Sequence, residues 1–250
     1  MIIAVDTTLS ISEYTPARDD SICIVIDVIR ASSTIVTLLD KGCQRVYTLA
    51  GEEQTRQLAA QRGMLTSGEW QGIKLSGFDM ENSPAEVLSF PVQGREVALC
   101  TSNGTRVINT ARGCLELFIG CLLNAQACVG AALITARAAQ SEITLVCAGQ
   151  YGRFVLDDAY CAGYLLREME VLARESGVTL RLSDASKAAG ALTIAYPDAR
   201  AAFRESASGK RLLEIGGKDD FDFCLQTDTS PVVPHMKLEQ DLIWFSNWGS

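Results

Sequence analysis

Apolar and polar positions fall in blocks along this chain, and the blocks predict an α/β order. Ile22-Cys23-Ile24-Val25-Ile26 is an unbroken apolar run of strand length that stops at Asp27, the pattern of a strand buried on both faces. Arg30 and a polar cluster, Ser32-Ser33-Thr34, follow. Apolar residues then return at Ile35, Val36, Leu38 and Leu39 with helical spacing and end before Gly42, which suits a helix closed by a left-handed glycine. The same reading gives strands over 2–6 and 45–49, a helix over 52–62 and a short strand over 64–66. Strands alternating with helices imply a parallel sheet with right-handed crossovers. Residues 10–21 read as a polar connection.

Residues 67–84 lose the period and hold Gly68, Gly72 and Gly77. A loop of that length in a compact domain is expected to be functional. Asn82-Ser83-Pro84 then opens a helix, with proline in its first turn. Beyond it the pattern predicts strands over 96–100, 115–119 and 143–147, a helix over 125–138 behind Asn124, and a helix that starts at Asp157 and Asp158. The last third reads as helix over 184–206 and 210–217, a turn at Asp219-Asp220, and antiparallel strands over 231–236 and 241–245. The expected fold is α/β, layered α/β/α, with a mainly parallel or mixed sheet. Residues 1–250 form one unit, and its division into two similar lobes near residues 120–140 stays open at this level.

Composition narrows the function. A hydrophobic share of 48% with 21% charged residues predicts a packed core. No apolar stretch reads as a membrane span, and the start, Met-Ile-Ile-Ala-Val-Asp, reads as a strand and not as a signal peptide. Nine cysteines lie singly in apolar runs without a Cys-x-x-Cys pair, which points to reduced thiols in a cytoplasmic protein. A net charge of −8 without a basic patch argues against nucleic acid and membrane partners. An acidic protein binds an anion by local means: a divalent cation, a few arginines and backbone amides.

Three strands end in polar turns, at 27–34, 101–105 and 148–158, and in an open sheet such ends gather at one cleft. They would bring together Asp27, Arg30, Ser32, Ser33, Thr101, Asn103, Thr105 and one of Asp157 or Asp158, with Gly104 and Gly149 allowing close backbone approach. Each member has a plainer role as well. Ser32 and Thr34 suit helix capping, the two aspartates suit a helix dipole, and Asn103-Gly104 is an ordinary turn. Phosphate-loop, dinucleotide and nucleophile-elbow motifs are absent, and His235 is the lone histidine. Cys100 and Cys147 read as inert core thiols. Carboxylates, arginine and hydroxyls are the inventory for Mg²⁺-assisted phosphoryl transfer to water.

The segments 25–34, Gly77-Phe78-Asp79 with Asn82-Ser83-Pro84, Thr101-Ser102-Asn103-Gly104-Thr105, and Cys147-Ala148-Gly149 with Leu156-Asp157-Asp158 and Cys161-Ala162-Gly163 resemble the 2-phosphosulfolactate phosphatases, in order, over residues 20–235. Ser102 stands where that family most often has threonine and keeps the hydroxyl. The resemblance implies a Mg²⁺-dependent hydrolase that converts 2-phospho-3-sulfolactate to 3-sulfolactate and phosphate, a step towards coenzyme M. Its substrate is a small anionic phosphate ester, and base rates allow a homodimer. It further implies Asp27 with Asp157 or Asp158 as metal ligands, Glu69 as a further ligand or base, and Arg30 with the Ser32–Thr34 helix start against the phosphoryl group. The turn at Asn103-Gly104-Thr105 and Asn82-Ser83 are the expected sites for the carboxylate or sulfonate. Direct water attack and a covalent phospho-Asp27 are equally compatible with the sequence. The alternatives are a phosphatase for another phosphorylated 2-hydroxy acid and a non-catalytic anion-binding protein of the same fold.

Overall fold

The structure is a computed structural model that describes residues 1–15 and 21–249. Its strands in chain order are β1 (Ile2–Thr8), β2 (Ile22–Ile26), β3 (Arg45–Leu49), β4 (Leu65–Trp70), β5 (Ile73–Lys74), β6 (Glu96–Cys100), β7 (Glu116–Ile119), β8 (Ile143–Cys147), β9 (Thr179–Leu182), β10 (Pro234–Glu239) and β11 (Leu242–Asn247). Its helices are α1 (Ala31–Asp40), α2 (Glu52–Arg62), α3 (Pro84–Val87), α4 (Gly104–Ala111), α5 (Ala125–Ala139), α6 (Leu156–Glu175), α7 (Asp184–Ala195), α8 (Ala199–Glu205), α9 (Ala207–Glu214) and α10 (Lys218–Cys224). The polar connection expected over 10–21 contains a 3-10 turn at Ile11–Glu13; residues 16–20 lie outside the described residues.

The strands form one sheet in the order β5-β4-β6-β3-β11-β10-β7-β2-β8-β1-β9. It is α/β and mixed. β4, β6 and β3 are parallel, as are β7, β2, β8, β1 and β9. The C-terminal hairpin of β10 and β11 joins the two blocks by antiparallel pairing on both sides. Its two-residue turn uses Gln240 and Asp241 at φ 48° and 69°, the left-handed pair that matches strand twist. The alternation of strand and helix led to the expectation of neighbouring parallel strands. In the fold β2 and β3 lie in different blocks, because α1 between them packs against both. Ile35 and Leu38 of α1 share a core with Cys23 and Val25 of β2, Val46 of β3 and Val97 and Leu99 of β6. Val107, Ile108 and Ala111 of α4 complete that core. The opposite face of β2, Ile22, Ile24 and Ile26, packs with α5 and α6 in a second core. Both faces of β2 are therefore apolar, as its unbroken run requires.

Four sequence expectations change. The loop expected over 67–84 begins as a continuation of β4 and turns back through β5. The helix expected over 184–206 breaks at Pro197 into α7 and α8, and α9 starts earlier than the helix expected at 210. β9, four half-exposed residues at the sheet edge, is too short and too weakly patterned to be read. The window Leu122–Ala139, with mean hydropathy 1.3, is long and apolar enough by composition to cross a membrane. It is a core helix here, with Cys128, Val129, Ala132 and Ala136 of α5 fully buried against β2, β8 and α6.

Candidate active site

The turns that follow β2, β6 and β8 meet at one cleft of about 280 Å³, which α9 and the β4–β5 turn close from the other sides. Asp27, Arg30, Glu69, Asn82, Asn103, Gly149 and Asp158 line it together with Ser102. Eight residues from the β2, β4, β6, β8 and α6 regions and from the segment before α3, far apart in sequence, thus line one space, as strand ends in an α/β sheet do.

Asp27 sits where the strand stops and α1 begins. Its main-chain carbonyl accepts from Ser32 N–H at 2.8 Å, and its own N–H donates to Ser32 Oγ at 2.9 Å. The Ser33 hydroxyl donates to the carbonyl of Val28 at 2.9 Å, and Thr34 Oγ1 is buried without a partner. The Ser32 and Ser33 side chains therefore tie the turn to itself, and neither they nor Thr34 line the cleft. The carboxylate of Asp27 is pushed up to about 7 by burial and by the negative charges of Glu69 and Asp157, with Ala31 N–H and Arg30 offsetting part of the rise. Gly104 makes this crowding sterically feasible. A Cβ there would lie 2.6 Å from Ala31 Cβ and 2.8 Å from Asp27 Oδ2, so the α4 N-terminus can approach α1 only with glycine at this position.

Arg30 is buried and doubly paired. Its Nη1 donates to Asp220 Oδ2 at 2.7 Å and its Nη2 to Glu81 Oε1 at 2.6 Å. Burial alone would lower its pKa, and the facing charges of Glu81 and Asp220 raise it. Asp220 also accepts from the Ser83 hydroxyl at 2.6 Å and from Ala85 N–H at 3.0 Å. Ser83 caps α3 through Glu86 N–H and is turned to this network instead of the cleft. The fork expected to hold phosphate is thus engaged by two carboxylates, which fastens α10 and α3 to the Asp27 turn.

Glu69, on β4, accepts from Gly72 N–H at 2.6 Å, Ser102 N–H at 2.7 Å and the Ser102 hydroxyl at 3.1 Å. It clamps the β4–β5 turn to the β6–α4 turn. Thr101 and Thr105 bond each other across the start of α4 at 3.2 Å and 3.0 Å and lie behind the cleft wall. Asn103 Oδ1 accepts from Tyr151 N–H at 3.3 Å, which links the second turn to the third. Gly149 has φ +64°, and a Cβ there would lie 2.2 Å from the Arg153 carbonyl.

Asp158 accepts from Val28 N–H and Gly149 N–H, both at 2.9 Å, so it bonds the first and third turns rather than its own helix. Burial, followed by the charges of Asp157 and Asp27, raises its pKa well above the carboxylate range. Burial pushes Asp157 up to about 6, partly offset by the Ser206 and Ser208 hydroxyls, yet neither of its carboxylate oxygens has a hydrogen-bond partner within 3.5 Å. Asp157 does not line the cleft, whereas Asp158 and Ser208 do. Asn82 Oδ1 is also buried without a partner. Crowded buried carboxylates with unpartnered oxygens nearby could serve as donors to a hard divalent cation. Among the described residues there is no group of three or more His, Cys, Asp or Glu side chains that could hold a metal ion by themselves. One or two carboxylates with the remaining positions open is the usual protein share of a Mg²⁺ shell.

The remaining candidates sit elsewhere. Burial raises the thiols of Cys100 and Cys147, which suits inert core residues. His235 bridges β10 to β7, in a contact with Glu116 and against Phe118. Asp220, Glu81, Ser102, Gln71 and Arg211 take part in the site or its support without having been picked out from sequence. Ser102 lay inside a quoted motif, whereas Arg211 belongs to a helix whose pattern marks no position as special.

The model of the 2-phosphosulpholactate phosphatase family matches residues 8–239. A Clostridium tetani protein named a probable 2-phosphosulfolactate phosphatase is 34% identical over 222 residues, 88% of this chain and 91% of its own length. Proteins of the same name from Thermus thermophilus and Deinococcus radiodurans are each 34% identical, over 86% and 85% of this chain and 88% and 86% of their own lengths.

Proposed function

The chain belongs to the 2-phosphosulpholactate phosphatase family and is a phosphoric monoester hydrolase, and we propose that it hydrolyses 2-phospho-3-sulfolactate to 3-sulfolactate and phosphate with Mg²⁺ bound. The observation that carries this reading is the meeting of Asp27 and Asp158 in one cleft with the start of α4. Asp27 and Asp158 are the residues that would hold the cation, which when bound would supply charge neutralisation at the phosphoryl oxygens. The raised pKa values of Asp27 and Asp158 support that assignment, because a divalent charge favours their ionised forms.

The chain's own residues supply orientation. Glu69 has three donors on its carboxylate, so it acts by fixing two turns and not as a free base. Ser102 and Asn103 at the positive end of α4 face the anionic substrate. Arg30 holds the Asp27 turn in register through Asp220 and Glu81. An in-line water forms the new P–O bond as the ester P–O bond breaks, and a proton of that water passes to the departing alkoxide oxygen. The product lies on the route towards coenzyme M. A cytoplasmic setting is supported by nine buried cysteines without a disulfide.

Phosphate release from racemic 2-phospho-3-sulfolactate, 2-phospholactate and 2-phosphoglycerate, each in Mg²⁺ and in EDTA, tests the reading. The expected result is Mg²⁺-dependent release with the sulfonate ester fastest. Faster release from another ester would move the substrate and keep the chemistry, and no release from any of them would overturn the proposal.

A further inference from the structure

Two basic side chains line the cleft among the described residues, Arg30 and Arg211. Arg30 faces two carboxylates at 2.6 Å and 2.7 Å, so its charge is already spent on the protein. Arg211, on α9, is exposed, and its side chain makes no hydrogen bond or ion pair with a described residue. The same cleft is lined by Asp27, Glu69 and Asp158, which disfavour any anionic group that a cation does not cover. A substrate with phosphate and carboxylate on one carbon and sulfonate on the next presents its third anion furthest from the phosphoryl site.

We propose that Arg211 is the specificity-determining residue of the cleft, pairing its guanidinium with the substrate's sulfonate. The inference rests on the functional reading above and deepens it. A guanidinium fork presents parallel donors to two oxygens of such an anion. Leu212 and Ile215, which line the same cleft, offer apolar contact to the methylene that carries the sulfonate. Arg211 is free of internal partners, so the pairing costs no existing bond and its removal leaves the fold intact.

The test compares kcat/KM on 2-phospho-3-sulfolactate and on 2-phospholactate, which has the same phosphate and carboxylate but a methyl group in place of the sulfonate arm. Wild type, R211Q and R211K are assayed in saturating Mg²⁺. R211Q is expected to lose at least about tenfold on the sulfonate ester, through KM, and to stay within about twofold on phospholactate, the scale of one charged hydrogen-bonded contact. R211K is expected to fall between them, since it keeps the charge and loses the fork. Equal losses on both esters would overturn the proposal by moving the contact to phosphate or carboxylate. Unchanged rates on both, with wild type active, would overturn it while the function stands. A wild type inactive on both esters would remove the functional reading and this inference with it.

Discussion

Asp27, Asp157 and Asp158 are three buried acids whose neutral forms are favoured by burial and, at Asp27 and Asp158, by the neighbouring carboxylate charges as well. Asp27 and one of Asp157 or Asp158 were legible as candidates because one acid ends an apolar strand and the others open a helix near another strand end, although that helix position also suits the dipole. The unpartnered oxygens of Asp157 were not legible, since a packing vacancy leaves no mark on the sequence. Arg30 shows the reverse case. Its position was read, and its partners Glu81 and Asp220, which lie 51 and 190 residues away, could not be. Arg30→Lys should lower stability by about 1.5–3 kcal/mol, the cost of losing a charged hydrogen bond, as measured by urea unfolding. An unchanged unfolding midpoint with a raised KM would make Arg30 a substrate ligand instead.

At the scale of elements, β2 and α1 were the easiest to read, and the α4 start shows what a turn motif can hide. Thr101, Thr105 and Gly104 looked like substrate contacts. The structure puts the two threonines in mutual bonds and makes Gly104 the point where α4 approaches Ala31 and Asp27. Gly104→Ala must push α4 away from the Asp27 turn. Overpacking of that kind costs about 1–3 kcal/mol, and it should reduce phosphatase activity more than an alanine at Gly113, where an added Cβ meets nothing within 4 Å. Equal activity in the two variants would show that the close approach has no functional weight. β5 and β9 escaped the pattern for the same reason: short edge strands bury too little on either face to alternate.

For the whole molecule, the alternating order gave the α/β class but not the sheet. Strand order depends on which layer each helix joins, and α1 joins both blocks, while the hairpin that closes the gap arrives last in the chain. Electrostatics act at this scale too. An acid whose pKa rises on folding binds more protons in the native chain than in the unfolded one, so its contribution to stability falls as pH rises between the two values. For Asp27 that window runs from 3.8 to about 7, and for Asp157 from 3.8 to about 6. The metal-free protein therefore loses stability from these groups on going from pH 5 to pH 8, and a cation that binds the ionised form of Asp27 returns part of it. Mg²⁺ should raise the melting temperature more at pH 8 than at pH 5, as read by differential scanning calorimetry. An equal or larger shift at pH 5 would mean that Asp27 does not bind the cation.

The most direct test of the central claim, that the Asp27 cleft is a phosphatase site, is phosphate release from 2-phospho-3-sulfolactate by wild type and Asp27→Asn side by side in Mg²⁺, with melting temperatures measured on the same samples. The expected result is rapid release by wild type and a loss of about three orders of magnitude or more in the variant, the scale on which removal of a principal electrostatic group acts. The metal-free variant should melt no lower than wild type at pH 8, since a buried charge has been replaced by a neutral isostere. An Asp27→Asn protein that releases phosphate at a near-normal rate would contradict the claim.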